Sequence, residues 1–177
     1  MPSLTPAMQK FVLHWGEMGD RWGVNRSVAQ IHALLFVTGK PLDAEEVSDT
    51  LSMARSNVST SLKELMAWGL IRMVHVVGDR RDHYESLADV WEMLERVLDE
   101  RRKREIEPTI RLLEECIQEA EKHSKEPPEV AKRLRAVHDL MTLADGWYVQ
   151  MRKLPREPLV RFFKAGGKVR DWLGLKG

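Results

Sequence analysis

Residues Ser52–Arg81 read SMARSNVSTSLKELMAWGLIRMVHVVGDRR. The run opens with small polar residues, pauses at Gly69 and leads into a short apolar stretch that turns on Gly-Asp-Arg-Arg. Val58, Leu62 and Leu65 fall at i, i+4 and i+7, on one face of a helix predicted from about Arg55 to Trp68. Gly69 suits the left-handed residue that follows a helix end. LIRMVHVV is rich in β-branched residues, GDRR is a turn and DHYESL is a return strand, so a hairpin is predicted next.

Upstream, Asp43 followed by Glu46 is a cap-then-acid pattern that opens a short helix, Ala44 to Leu51, with Val47 and Leu51 as its apolar positions. Two helices joined across Ser52 to Ala54 make a helix-turn-helix arrangement, and the hairpin makes it a winged helix. The second helix presents Arg55, Ser56, Asn57, Ser59, Thr60 and Lys63 on its polar face. A helix lying in a major groove needs this chemistry. Small residues let the backbone approach the phosphates, asparagine can pair adenine, arginine can pair guanine, and the helix N-terminus attracts phosphate. The hairpin tip carries Arg80 and Arg81, where a minor groove would lie. Double-stranded DNA is the expected partner. Two blander readings compete: a serine- and asparagine-rich start also caps an ordinary surface helix, and winged helices also serve as protein–protein modules. The succession of helix, turn, helix, glycine and basic wing favours DNA.

The flanks read as helix. Thr5-Pro6 is a capping hydroxyl before a first-turn proline, and Met8, Phe11, Val12, Trp15, Met18 and Trp22 recur at helical spacing up to Gly23. Asn25 or Ser27 caps a second helix that buries Val28, Ile31, Leu34 and Leu35 and ends near Gly39. After the hairpin, Trp91, Leu94 and Leu98 start a seam that Ile106, Ile110, Leu113, Ile117 and Ala120 continue. The stretch DERRKRE between them has no apolar residue, and Pro108 lacks an amide hydrogen, so a kink or break is expected there. In the next helix Val130, Leu134, Val137, Met141, Ala144, Tyr148 and Met151 keep a spacing of alternately four and three. That seam wants a partner helix, from the same chain or from a second copy. A basic amphipathic tail with Phe162, Phe163 and Trp172 closes the chain.

The fold expected is therefore mainly α with a small β-hairpin wing: a winged helix-turn-helix plus long dimerisation helices. Residues 1–24 form an N-terminal dimerisation helix, 25–88 the DNA-binding region, and 89–177 a helical dimerisation region with a basic tail. The 177 residues carry a net charge of only +1, so any attraction for anions is local. From Trp147 to Gly177 there are eight Lys and Arg against Glu157 and Asp171, and five basic residues against two acidic ones lie between Ser52 and Arg81. No apolar run approaches the ~20 residues that span a bilayer. The N-terminus MPSLTPAMQK lacks a signal-peptide pattern, and the single cysteine, Cys116, fits a reducing cytoplasm.

The stretch VSTSLKELMAWGLIRMVHVVGDRRDHYESL resembles the MarR-type winged helix, with its hydroxyl-rich helix, Leu-x-x-Leu pair, Gly-Leu-Ile step and Asp-Arg-Arg wing. The continuation DVWEMLERVLDERRKREIEPTIRLLEE is similar to the GbsR branch of that superfamily. The resemblance implies an effector-responsive, homodimeric transcription regulator, a repressor on near-palindromic operators. It implies that Asp79 orients a wing arginine, here Arg81. One departure is Leu87-Ala88 where the family has Leu-Thr after the wing, which leaves capping of the next helix to Asp89.

Other constellations are weaker. No two of the six histidines share a helix face at i, i+4, so no metal site is expected. Cys116 reads as an inert thiol and Arg101–Arg104 as a solvated helix face. The tryptophans are expected mostly in the core, yet Trp15, Trp22 and Trp147 are candidates for a cage around a quaternary ammonium ligand, and the GbsR resemblance makes choline-like effectors the first to consider. Catalytic motifs such as G-x-x-x-x-G-K, H-E-x-x-H and G-x-S-x-G are absent, so neither an enzyme nor a cofactor is expected.

Overall fold

The computed structural model describes residues 4–122 and 127–165, and the chain divides into two units, residues 1–100 and 101–177. His123 and the tail from residue 166, Trp172 included, lie outside the described residues, as do the side chains of Phe162 and Phe163.

The first unit is built around α2, Arg26–Thr38. Asn25 caps it, its side chain accepting from the Ser27 amide at 2.8 Å, and Gly39 leaves it in the left-handed region at φ 62°. Every residue from Val28 to Leu35 is buried. A helix buried all round is a central helix, broader in its burial than the four apolar positions predicted. α1, Pro6–Arg21, starts at Thr5, whose hydroxyl accepts from the Met8 amide, and packs against α2. The closeness of that packing sets two residue types. A Cβ on Gly16 would come 2.4 Å from Gln30 Cγ, and one on Gly19 would come 2.5 Å from Ala29 Cβ. α1 thus buries Val12, Gly16 and Gly19, while Trp15 and Trp22, on the predicted helical period, are 40% and 57% exposed. The hydrophobic period alone does not reveal that glycines make the contact.

α3, Ala44–Leu51, and α4, Arg55–Ala67, pack on α2 and on each other. Asp43 and Glu46 form a full capping box at the start of α3, each side chain bonding the other's backbone amide. The corner is a left-handed Ser52 at φ 53°, and the Ser48 hydroxyl donates to the Met53 carbonyl at 2.7 Å to close it. Strands β2, Ile71–His75, and β3, Asp82–Ser86, form the antiparallel hairpin, with His75 opposite Asp82 at its outer end. A two-residue strand, β1, Leu42–Asp43, pairs with β3 as Leu42 opposite Tyr84 and Asp43 opposite His83, so the sheet order is β1-β3-β2. Two residues carry no period, which is why β1 was not anticipated. α5, Val90–Arg101, begins at Asp89, whose carboxylate accepts from the amides of Trp91 and Glu92.

In the second unit a π turn, Arg102–Ile106, leads into α6, Glu107–Lys122. The expected kink takes this form. Pro108 offers no hydrogen to the Arg104 carbonyl, and the ladder absorbs the gap by shifting to i→i+5, Glu107 N–H to Arg102 C=O. Arg102 reaches Asp145 at 2.6 Å and Glu107 at 2.6 Å, joining the π turn to α7, Pro128–Arg152. α6 and α7 pack together, burying Ala131 fully and Leu134, His138, Met141, Asp145 and Tyr148 in part. This facing stripe is rotated from the predicted seam: Val130, Val137 and Ala144 are exposed, with Leu140, Leu143 and Trp147 beside them. α8, Arg156–Ala165, follows.

Candidate nucleic-acid interface

α4 divides cleanly. Val58, Ser61, Leu62 and Leu65 are buried, and Arg55, Ser56, Asn57, Ser59, Thr60 and Lys63 are all exposed on the opposite side. Its apolar residues join the core formed by Ile31, Leu34, Leu35 and Val47, so packing fixes which edge of the helix faces outward. The N-cap position, Ala54, has no side-chain acceptor, so the first-turn amides are not satisfied by a side-chain cap. The Thr60 hydroxyl donates to the Ser56 carbonyl at 3.0 Å. Arg55 pairs with Glu45 of α3. Asn57 Nδ2 donates to Ser27 Oγ at 2.8 Å, and Asn57 Oδ1 accepts from the Ser61 hydroxyl at 3.4 Å. The amide is therefore held from two sides, with one hydrogen and one lone pair left over.

The wing loop, residues 76–81, leaves Arg80 and Val77 exposed. Arg81 turns back. Its Nε donates to both Asp79 oxygens at 3.0 and 3.1 Å, and its backbone N–H donates to Asp79 Oδ1 at 3.0 Å. Hydrogen bonding to Arg81 pulls the Asp79 pKa well below the usual carboxylate range, and the same contact raises that of Arg81. Arg81 Nη1 also lies 2.6 Å from Asp43 Oδ2, a carboxylate only 2% exposed. That oxygen has no aligned hydrogen-bond partner, so the contact is an ion pair. The Arg81 carbonyl meets His83 Nδ1 at 2.9 Å. Sequence reasoning found Asp43 as a helix cap and missed its second contact, because nothing local links it to residue 81. Ser27 and Glu45 were missed for the same reason.

The ligand atoms of Asp43, Glu46 and His83 lie within 4.8 Å of one another. Those of Asp43 and Glu46 are engaged, in the capping box and on Arg81, which accounts for the cluster without an ion.

A second feature is a cavity of about 270 Å³ within the first unit, rimmed by Trp15, Trp22 and Trp68 and floored by Val28, Ala29 and Met93. His32 also lines it, and burial pushes the imidazole pKa down to about 4, so it is neutral at physiological pH. Trp15 and Trp22 are thus brought together, whereas Trp147 lies on α7 in the other unit. Cys116 is half-buried on α6. No helix among the described residues is long and apolar enough to cross a membrane.

No curated protein matches the chain. Among solved structures, one described as a transcriptional regulator is 21% identical, covers 90% of this chain and 99% of its own, and superposes with a TM-score of 0.60. The YusO protein from Bacillus subtilis is 21% identical over 78% of this chain and 85% of its own, with a TM-score of 0.38. A MepR mutant from Staphylococcus aureus, bound to an oligodeoxyribonucleotide, is 14% identical over 80% and 90%, also at 0.38. The model of the MarR family matches residues 17–82, the span from α1 to the first residue of β3. Over residues 17–82, the winged-helix segment of this chain is thus similar to the MarR family.

Proposed function

We propose that the chain is a sequence-specific double-stranded DNA-binding transcriptional regulator, an effector-responsive repressor of the GbsR-like kind that acts in the cytoplasm as a homodimer on a near-palindromic operator. The observation that carries this reading is the face of α4. Six polar residues with no apolar interruption stand exposed on a helix whose other side is locked into the core. A surface helix needs no such run of small hydroxyls, whereas a helix entering a major groove needs the backbone close to phosphate and short side chains at the base edges. Arg55, Ser56, Asn57, Ser59, Thr60 and Lys63 would supply the groove contacts, with Arg80 and Arg81 on the flanking wing.

Two further observations support the finer parts. Leu140, Leu143 and Trp147 form an apolar stripe on α7, 66%, 72% and 53% exposed, and a second copy covering it accounts for a stripe too apolar for water. The tryptophan-rimmed cavity suits a compact effector that needs no buried counter-ion: a flat aromatic compound, or a quaternary ammonium held by cation–π attraction. A protein-interaction module is the competing reading of a winged helix. Selection of duplexes from a random-sequence library by the full chain separates them. An inverted repeat should be enriched, with half-sites about one helical turn apart. No enrichment over input would leave the interaction module.

A further inference from the structure

We propose that Asp43 is the positioning residue of the wing: it holds Arg81 against the start of α3, so that Arg81 sets the wing's place and Arg80 is the wing's contact to DNA. The division between the two arginines rests on the DNA-binding reading; the tether does not.

Asp43 serves two elements with one side chain. Its Oδ1 accepts from the amides of Glu45 and Glu46 at 2.7 and 2.9 Å, which caps α3. Its Oδ2 faces Arg81 at 2.6 Å and is otherwise without a hydrogen bond. The Asp79–Arg81 fork cannot do this work, because both residues belong to the same loop, and the further contact of Asp79, His83 Nε2 at 3.7 Å, leads to β3 and not to α3. The backbone pairing of Asp43 with His83 secures the strand, but it stops short of residues 76–81. The Asp43–Arg81 pair is the contact that ties the loop to α3, and α3 carries α4 against it. The distance between reading helix and wing is thereby set on a buried carboxylate, whose burial strengthens the pairing relative to water. The Arg81 side chain is 55% exposed, but its charge is shared between two carboxylates, which makes it the weaker phosphate ligand of the two arginines. Arg80, exposed next to it, has no such commitment to Asp43 or Asp79.

The substitution that separates capping from tethering is Asp43→Asn. Asparagine caps a helix about as well as aspartate, but it presents an uncharged amide to the guanidinium. Amide hydrogen exchange on the free protein is the first measurement. Peptides covering 76–81 should exchange about ten-fold faster in Asp43→Asn while those covering 44–51 keep their protection. Unchanged exchange in the wing, or equal loss in both segments, would overturn the tether. The second is a mutant cycle on duplex DNA. Arg81→Ala should add little to Asp43→Asn, less than about two-fold in affinity, because both remove one tether. Arg80→Ala should instead lower the salt slope by about one in either background. If Arg81→Ala lowers the slope by that amount in the Asp43→Asn background, Arg81 is itself a DNA contact and the assignment fails. A parent protein that binds no duplex would sink the DNA reading, and the exchange data would still judge the tether.

Discussion

Asn57, in the first turn of the candidate reading helix, donates its amide hydrogen to Ser27 at the start of α2, 2.8 Å away. Thirty residues apart in sequence, the two side chains link the N-termini of two helices on one surface. The bond fixes which way the amide faces, and an amide held in one orientation presents a defined donor and acceptor to a base edge.

Asn57→Ala should therefore cost about 1–3 kcal/mol on the selected duplex and relax preference at one base position, with non-specific affinity nearly unchanged. Ser27→Ala should relax the same position less strongly, since the amide is retained but no longer held. Parallel titrations of both variants against single-base substitutions of the duplex check this. Relaxation at different positions would show that Ser27 and Asn57 do not act together.

His32 gives the fold a pH dependence of known sign. Its folded pKa is about 4 against 6.5 for the free side chain. Between those values the unfolded chain binds a proton that the folded chain refuses, so stability falls as pH is lowered through that window, by up to about 1.4 kcal/mol per unit. Above it this contribution is absent. Chemical denaturation of the parent and of His32→Gln between about pH 7 and pH 4 should give the parent the steeper loss. Equal slopes would mean that the imidazole is not excluded from protonation.

Gly19→Ala should destabilise the first unit by about 1–3 kcal/mol through overpacking, because the new methyl group would lie 2.5 Å from Ala29 Cβ. Thermal unfolding checks it. Gly23→Ala would meet nothing within 4 Å but sits at φ 76°, so its smaller cost would be conformational.

Assembly is tested on α7. Sedimentation at micromolar concentration should show a dimer, and Leu143→Glu, at a site 72% exposed, should yield a folded monomer. A parent chain that sediments near 20.5 kDa while binding duplex tightly would contradict the dimer.

Local signals carried the winged helix. The period of Val58, Leu62 and Leu65, the Asp43–Glu46 box, Gly69 and the Asp89 cap each depend on a few neighbouring residues, and each is where the sequence places it. What was not legible depends on distant partners. Gly16 and Gly19 contribute no hydrophobicity, so the α1–α2 contact is invisible to a pattern of apolar residues, which points to Trp15 and Trp22 on the same helix instead. On α7 a four-and-three spacing fits two adjacent faces of one helix. Only the partner decides that Ala131 and His138 turn inward where Val130 and Val137 were expected. The polar face of α4 could be read residue by residue, but its attachments to Glu45 and Ser27, like that of Arg81 to Asp43, join positions from ten to thirty-eight residues apart.

The most direct test of the DNA-binding account is a salt titration of the full chain on its selected duplex and on a scrambled one, followed by fluorescence anisotropy. Log affinity should fall linearly with log salt on both, losing on the order of a thousand-fold between about 50 and about 200 mM, with the selected duplex bound more tightly throughout. Affinity that is insensitive to salt, or the same for both duplexes at every concentration, would contradict a basic reading face that recognises sequence.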